Sequence, residues 1–175
     1  MIYINNKKGF TLVELLAVIV IISMLTMLAI PSITRYMETS KKKLFAENAI
    51  RAINAVKEYE LKEEFLTSTN SNITPECSDI ICYYDISQIN ALLDKKLDNS
   101  PFGSTYNTDI SNISSEKNTA NGKETRIYKM CLIDADNNGF GFLGSDQIDS
   151  SKVQVGTIRD CNGGSVNINH GNDED

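Results

Sequence analysis

Glu14 is the residue most out of place in this chain. From Phe10 to Ile30, 17 of 21 residues are apolar, and no charge occurs between Leu15 and Thr34, yet a carboxylate stands five residues after Gly9. An ionised group in hydrocarbon persists where a partner compensates it, so such an acid is by default a functional group awaiting a cation. Insertion tolerates it. Thirteen Phe, Leu, Ile and Val residues in the run, at roughly −0.45 kcal/mol each, supply about −6 kcal/mol, against roughly 3 kcal/mol or less for an acid near a helix end.

Two other groups of residues could do chemistry. Asp134-Ala135-Asp136-Asn137-Asn138-Gly139-Phe140 places oxygens at alternate positions with glycine in the sixth place. A hard cation such as Ca²⁺ needs that spacing, with Asp134, Asp136, Asn138 and the Phe140 carbonyl as ligands. Ser145 occupies the twelfth place, where a bidentate Glu belongs, and Asp146 comes one residue late. An Asp/Asn/Gly hairpin turn without metal accounts for the same residues. The cysteines, Cys77, Cys82, Cys131 and Cys161, allow three disulfide pairings, a four-thiolate zinc site or free thiols; no Cys-x-x-Cys favours zinc. Nucleophilic catalysis has little to draw on, since the one histidine, His170, sits in a polar tail. The chain is not expected to be an enzyme.

The elements that position these groups follow from pattern. At 175 residues the chain is one domain or one domain with an appendage. Its net charge of −6 argues against a nucleic-acid module, and no direct nucleic-acid binding is expected. Twenty uncharged residues at 1.5 Å each cover about 30 Å, the thickness of a bilayer core. A short leader, Met1 to Gly9, precedes the run and carries Lys7 and Lys8. A secretory signal peptide fits poorly: the run exceeds an ordinary apolar segment, no small-x-small cleavage site follows Leu28-Ala29-Ile30-Pro31, and Glu14 would serve nothing. Beyond Pro31, where a kink is expected, Ile33, Tyr36, Met37, Phe45, Ala49, Ala52, Ile53 and Val56 recur at helical spacing. The helix is expected to end around Leu66, about 85 Å from Phe10. A head follows. Asp85-Ile86-Ser87-Gln88 opens a short helix with a capping-box pattern, burying Ile86, Ile89, Leu92, Leu93 and Leu97. Asp98 to Gly103 is a turn cluster, and Ser111 to Gly122 reads as an exposed polar loop. Arg126–Ile133 and Gly139–Leu143 read as a hairpin, Lys152–Arg159 as a third strand, and Asn162–Asp175 as a frayed tail.

Lys7-Lys8-Gly9-Phe10-Thr11-Leu12-Val13-Glu14-Leu15-Leu16 resembles the processing motif of type IV prepilins and pseudopilins. The resemblance runs closely through Pro31 and implies an α+β fold of pilin type: a long N-terminal helix, half membrane and half amphipathic, packed on a small antiparallel sheet. It divides the chain into a leader (1–9), a membrane and assembly helix (10–31), its amphipathic continuation (32–66), a globular head (67–161) and a flexible polar tail (162–175). It implies cleavage after Gly9 by a prepilin peptidase, N-methylation of Phe10, and pairing of Glu14 with the Phe10 ammonium of a neighbouring subunit. The partners implied are copies of itself or other pilins, the peptidase and methylase, and a membrane assembly platform. The implied location is the cytoplasmic membrane as a single-pass precursor, then an extracellular pilus or pseudopilus. The resemblance places the leader in the cytoplasm, although Arg35 and Lys41 to Lys43 outnumber Lys7 and Lys8. Ser23 stands where many members carry glycine. Pro101-Phe102-Gly103 resembles a turn of pseudopilins and some Gram-positive pilins, and Cys131 paired with Cys161 would resemble the C-terminal disulfide loop of many pilins, leaving Cys77 with Cys82. Two readings of function sit within the family, a pilus subunit and a pseudopilin of a secretion or DNA-uptake machine. A third lies outside it, a monomeric anchored domain that binds calcium or adheres. The Ile/Asn/Lys-rich composition suggests a low-GC, Gram-positive source.

Overall fold

The computed structural model describes residues 9–65, 73–120 and 123–161. The leader up to Lys8, the expected helix end at Leu66, the linker after it and the tail from Asn162 lie outside the described residues. Helix α1 spans Leu12–Phe65. The chain divides into two compact units, Met1–Thr39 and Ser40–Asp175.

In the first unit every described side chain of α1 is exposed. Phe10, Leu12, Val13, Met24, Leu25 and Met27 are all more than 60 % exposed. Ile33, Tyr36 and Met37, expected to begin the buried stripe, are more than half exposed as well. The buried stripe begins in the second unit, where a sheet is present to cover it. The polar side chains of the apolar run turn inward on the helix: Ser23 Oγ donates to the Ile19 carbonyl at 2.7 Å and Thr26 Oγ1 to that of Ile22 at 2.7 Å. This back-bonding satisfies the hydroxyls within the helix itself. No single helix among the described residues is long and apolar enough to cross a membrane; Leu12–Met27 and Ser32–Phe65 pass that test only together, as a bent pair. Pro31, the expected kink, lies in the break between them.

In the second unit Phe45, Ala46, Ala49, Ala52, Ile53 and Val56 are buried at spacings of one, three and four, which makes one helix face. The opposite face carries i,i+4 pairs such as Glu58–Lys62 at 2.7 Å. The buried face meets a five-stranded antiparallel meander in the order β1 (Glu76–Cys77), β2 (Ile81–Asp85), β3 (Asn112–Ala120), β4 (Lys123–Ile133) and β5 (Gly139–Gly144). Phe45 is the aromatic hub, with ring centroids 5.5 Å from Tyr106 and 6.0 Å from both Phe102 and Phe140. A smaller core of Cys131, Ile133 and Ile158 forms separately, packed with Ile110, Phe142 and Cys161. The end of β4 is therefore apolar on consecutive residues, Met130 to Ile133, because both faces are covered there.

Helix α2 (Ile86–Leu92) opens on the expected box: Asp85 accepts from the Gln88 amide at 2.8 Å, and Gln88 accepts from the Asp85 amide at 3.1 Å. Ile86, Ile89 and Leu97 are buried, and Leu92 and Leu93 partly so. The predicted hairpin is present as β4 and β5. Two expectations fail. The segment from Ser111 to Gly122 is not a loop; most of it is β3, paired with β2 on one side and β4 on the other. Its hydroxyls are what misled: Ser111 Oγ donates to the Ile133 carbonyl and Ser115 Oγ to Glu60, so polar residues become strand residues once partners reach them. Lys152–Arg159 forms no strand among the described residues. Gln154 bridges to Gly139, Gly156 turns the chain at a φ of 68°, and Ile158 is a second bridge residue whose amide donates to the Asn137 carbonyl. The short pair β1–β2 was not visible in the sequence at all.

Candidate functional site

The candidate processing and assembly site is built on the first turn of α1. Thr11 is its N-cap residue. Thr11 Oγ1 accepts from the Glu14 amide at 3.2 Å, while Glu14 Oε2 accepts from the Thr11 amide and from Thr11 Oγ1, each at 2.9 Å. This is a reciprocal capping box, which satisfies donors that a helix start leaves unpaired. The sequence reading missed it, although Thr-x-x-Glu before an apolar run is its signature. Among the described residues Glu14 Oε1 has no hydrogen-bond partner, so one carboxylate oxygen stays open while the other holds the helix start. Phe10 is 88 % exposed. A Cβ placed on Gly9 would meet nothing within 4 Å, so no packing among the described residues demands glycine there.

The Asp134 loop has a different geometry from a cation loop. Asp134 is fully buried. Its Oδ1 accepts from the amides of Asp136 and Asn138 and from Asn138 Nδ2, and its Oδ2 accepts from Ser100 Oγ and Asn138 Nδ2. Burial pushes its carboxyl up, but the hydrogen bonds from Ser100 and Asn138 outweigh that and hold it below the usual range. Asn138 Oδ1 accepts from the Gly156 amide, and Phe140 lies in the core against Phe45. Asp134 and Asn138 thus bind each other, and Asp136 brings only its backbone to the cluster. No group of three or more His, Cys, Asp or Glu residues that could hold a metal ion occurs among the described residues. The need for glycine in the sixth place is steric: Gly139 has a φ of 148°, and a Cβ there would lie 2.0 Å from the Leu132 carbonyl oxygen.

Two disulfides join the cysteines. Cys77–Cys82 links directly opposed residues of β1 and β2, and Cys131–Cys161 ties β4 to the chain 30 residues on. A further group that sequence reading missed is Glu60, 5 % exposed, at the far end of α1. Its carboxylate accepts from Tyr84 Oη at 2.9 Å, Tyr128 Oη at 2.6 Å and Ser115 Oγ at 2.9 Å, and pairs with Arg126 at 3.1 Å. In the sequence it was one acid among several on a helix; only the sheet singles it out.

An N-capped, uncovered apolar helix feeding into a helix-on-meander head defines a pilin-like α+β protein. A family model described as the prokaryotic N-terminal methylation motif matches residues 4–30. The chain is 32 % identical over 115 residues to prepilin peptidase-dependent protein A of Clostridium perfringens, covering 62 % of this chain and 81 % of that protein. It is 32 % identical over 72 residues to the ComG operon protein 3 homolog of Bacillus licheniformis, covering 41 % of this chain and 73 % of that protein. Against the competence protein ComGC of Bacillus subtilis it is 53 % identical over 38 residues, 22 % of this chain and 39 % of that protein. No solved structure matches the chain. The chain belongs to the type IV pilin and pseudopilin family.

Proposed function

We propose that this chain is a structural subunit of a type IV pilus, made as a membrane precursor, cut between Gly9 and Phe10, N-methylated on Phe10 and polymerised through its N-terminal helix. The observation that carries this is the exposed apolar surface between Phe10 and Met37, which the described residues leave uncovered. In a precursor lipid covers it; in a filament neighbouring copies do. Gly9, unconstrained by its own chain, suits a scissile position where a peptidase must approach the backbone. The open Oε1 of Glu14 suits the ammonium that cleavage creates on a neighbour's Phe10. A buried carboxylate lacking a partner is costly, so that pair sets the register in which subunits add.

A second reading, a pseudopilin of a DNA-uptake machine, rests on the 53 % identity to the competence protein over 38 residues. That stretch is short and the competence protein extends well beyond it, so the pilus reading stays first. Mass spectrometry and N-terminal sequencing of sheared surface filaments test both. The expected result is this chain beginning at N-methylphenylalanine 10 as a filament component. Recovery of the intact Met1 form, or of a chain starting after Ala29, overturns the proposal; a processed chain confined to the envelope of competent cells selects the second reading.

A further inference from the structure

Arg51 is a cation of the second unit with a buried nitrogen that the described residues leave unpaired. Its Nε is buried without a hydrogen-bond partner, and no salt bridge to its guanidinium forms among the described residues. A desolvated guanidinium nitrogen left unpaired is costly, and such groups in native proteins point to a missing acceptor. Arg51 lines a cavity of about 270 Å³ with Asn48, Lys95, Lys96, Asn99 and Ser100. Three cations and two amides face the same space, and no carboxylate lines it. The volume exceeds several times the roughly 30 Å³ of a water molecule, enough for a tetrahedral anion with part of its shell.

The walls are held by contacts that do not involve Arg51. Asn48 Nδ2 donates to Tyr106 Oη at 3.1 Å, and the Leu97 amide donates to Asn90 Oδ1 at 2.6 Å, which fixes the segment carrying Lys95 and Lys96. Ser100 Oγ donates to Asp134, and Asn99 bridges to Thr105. The basic character continues past the rim, where the Lys41 ammonium lies 5.9 Å from the Phe102 ring centroid. On a chain of net charge −6, with Asp94 and Asp98 on either side of the lysine pair, the cavity lining itself holds three cations and no carboxylate.

We propose that the cavity between Arg51, Lys95 and Lys96 binds a phosphate group. A planar guanidinium donates to phosphate oxygens in parallel, while ammonium groups act as point charges that favour a dianion over a monovalent carboxylate. Such a phosphate can arrive free or as the headgroup of an anionic phospholipid.

The test uses the full chain in neutral detergent micelles at constant ionic strength, titrated in separate arms with inorganic phosphate, with micelles doped with phosphatidylglycerol, and with acetate. Saturable binding in either of the first two arms, weakened about tenfold or more in Arg51→Gln, is expected from loss of the bidentate donor. A response to inorganic phosphate identifies the free anion as sufficient; a response to the doped micelles alone identifies a lipid source. Arg51→Lys keeps the charge and should still lose most of the binding, and the exposed pair Lys95→Gln/Lys96→Gln should weaken it while leaving the fold intact. In phosphate-free buffer Arg51→Gln should melt no lower than the unmutated chain, since the substitution removes a buried nitrogen that has no hydrogen-bond partner. Absence of saturation in both phosphate arms, binding by Arg51→Gln equal to that of the unmutated chain, or equal affinity for acetate overturns the proposal.

Discussion

Two demands meet on the Glu14 carboxylate: one oxygen caps the helix through Thr11 and the other is open. Glutamine can serve in a capping box but carries no charge, so Glu14→Gln separates the roles. Its helix content by circular dichroism should match the unmutated chain, as should processing at Gly9. Filament yield should fall about tenfold or more, because an amide cannot neutralise an ammonium in a low-dielectric interior. Normal filaments from Glu14→Gln as the sole subunit would leave capping as the residue's whole role. Asp134 presents the reverse case, an acid whose oxygens are consumed by its own loop. Calcium could enter only by breaking those bonds, so melting in millimolar calcium should superpose on melting in chelator; a calcium-dependent rise would restore the cation site. The carboxyl is held low in the fold, so its contribution is present above the unfolded value near 3.9 and is lost as pH falls through the folded value. Asp134→Asn should be less stable than the unmutated chain at neutral pH, and the difference should shrink in acid.

The elements of the head are held by polar bonds of long sequence separation as much as by apolar contact. Glu60 ties the end of α1 to β2, β3 and β4 at once. Removing one partner of a buried ion pair typically costs about 3–5 kcal/mol, so Glu60→Ala should lower stability by an amount in that range, measurable by urea denaturation. Burial and the Glu60 charge both raise the Tyr84 and Tyr128 hydroxyls, and burial lifts Tyr106 to about 12. The sign is that of raised groups: stability is complete below the unfolded value near 10 and is lost as pH climbs through the folded values. The head should therefore unfold in alkali, and Tyr84→Phe should blunt that loss. Cys131–Cys161 closes the longer disulfide loop, 30 residues against 5. In the chain-entropy model that bridge is worth about 3.5 kcal/mol, so Cys131→Ser with Cys161→Ser should destabilise the head more than the equivalent change at Cys77 and Cys82.

For the whole molecule the division at Thr39 and Ser40 separates a surface awaiting partners from a unit with its own core. Ser40–Asp175 contains both apolar cores, both disulfides and the Glu60 network. Expressed alone, it should be monomeric without detergent and melt in one transition, while the full chain should need detergent or assemble. Analytical ultracentrifugation of the two checks this. Self-association of the fragment would mean that the head itself carries an assembly surface.

What the sequence determined by itself is local or strongly periodic. The apolar run and its lone acid, the 3.6-residue stripe from Phe45 to Val56 and the Asp85 capping box are legible because neighbours along the chain decide them. The motif around Gly9 was legible by resemblance alone. What only the tertiary structure decided is how polar side chains are spent. Asn112–Ala120 looked like a loop because its serines seemed to need water; β2, β4 and Glu60 supply those bonds instead. Asp134 offers a cation ligand's spacing, which is local, while the donors that hydrogen-bond its carboxylate include Ser100, 34 residues away. Glu60 and Arg51 sit on the same helix, and nothing in their sequence neighbourhoods says that one is saturated by the sheet and the other left facing a cavity. Hydrophobic burial repeats with the period of the element and so writes itself into sequence; hydrogen-bond satisfaction depends on which distant strand arrives alongside, and that is settled only when the chain has folded.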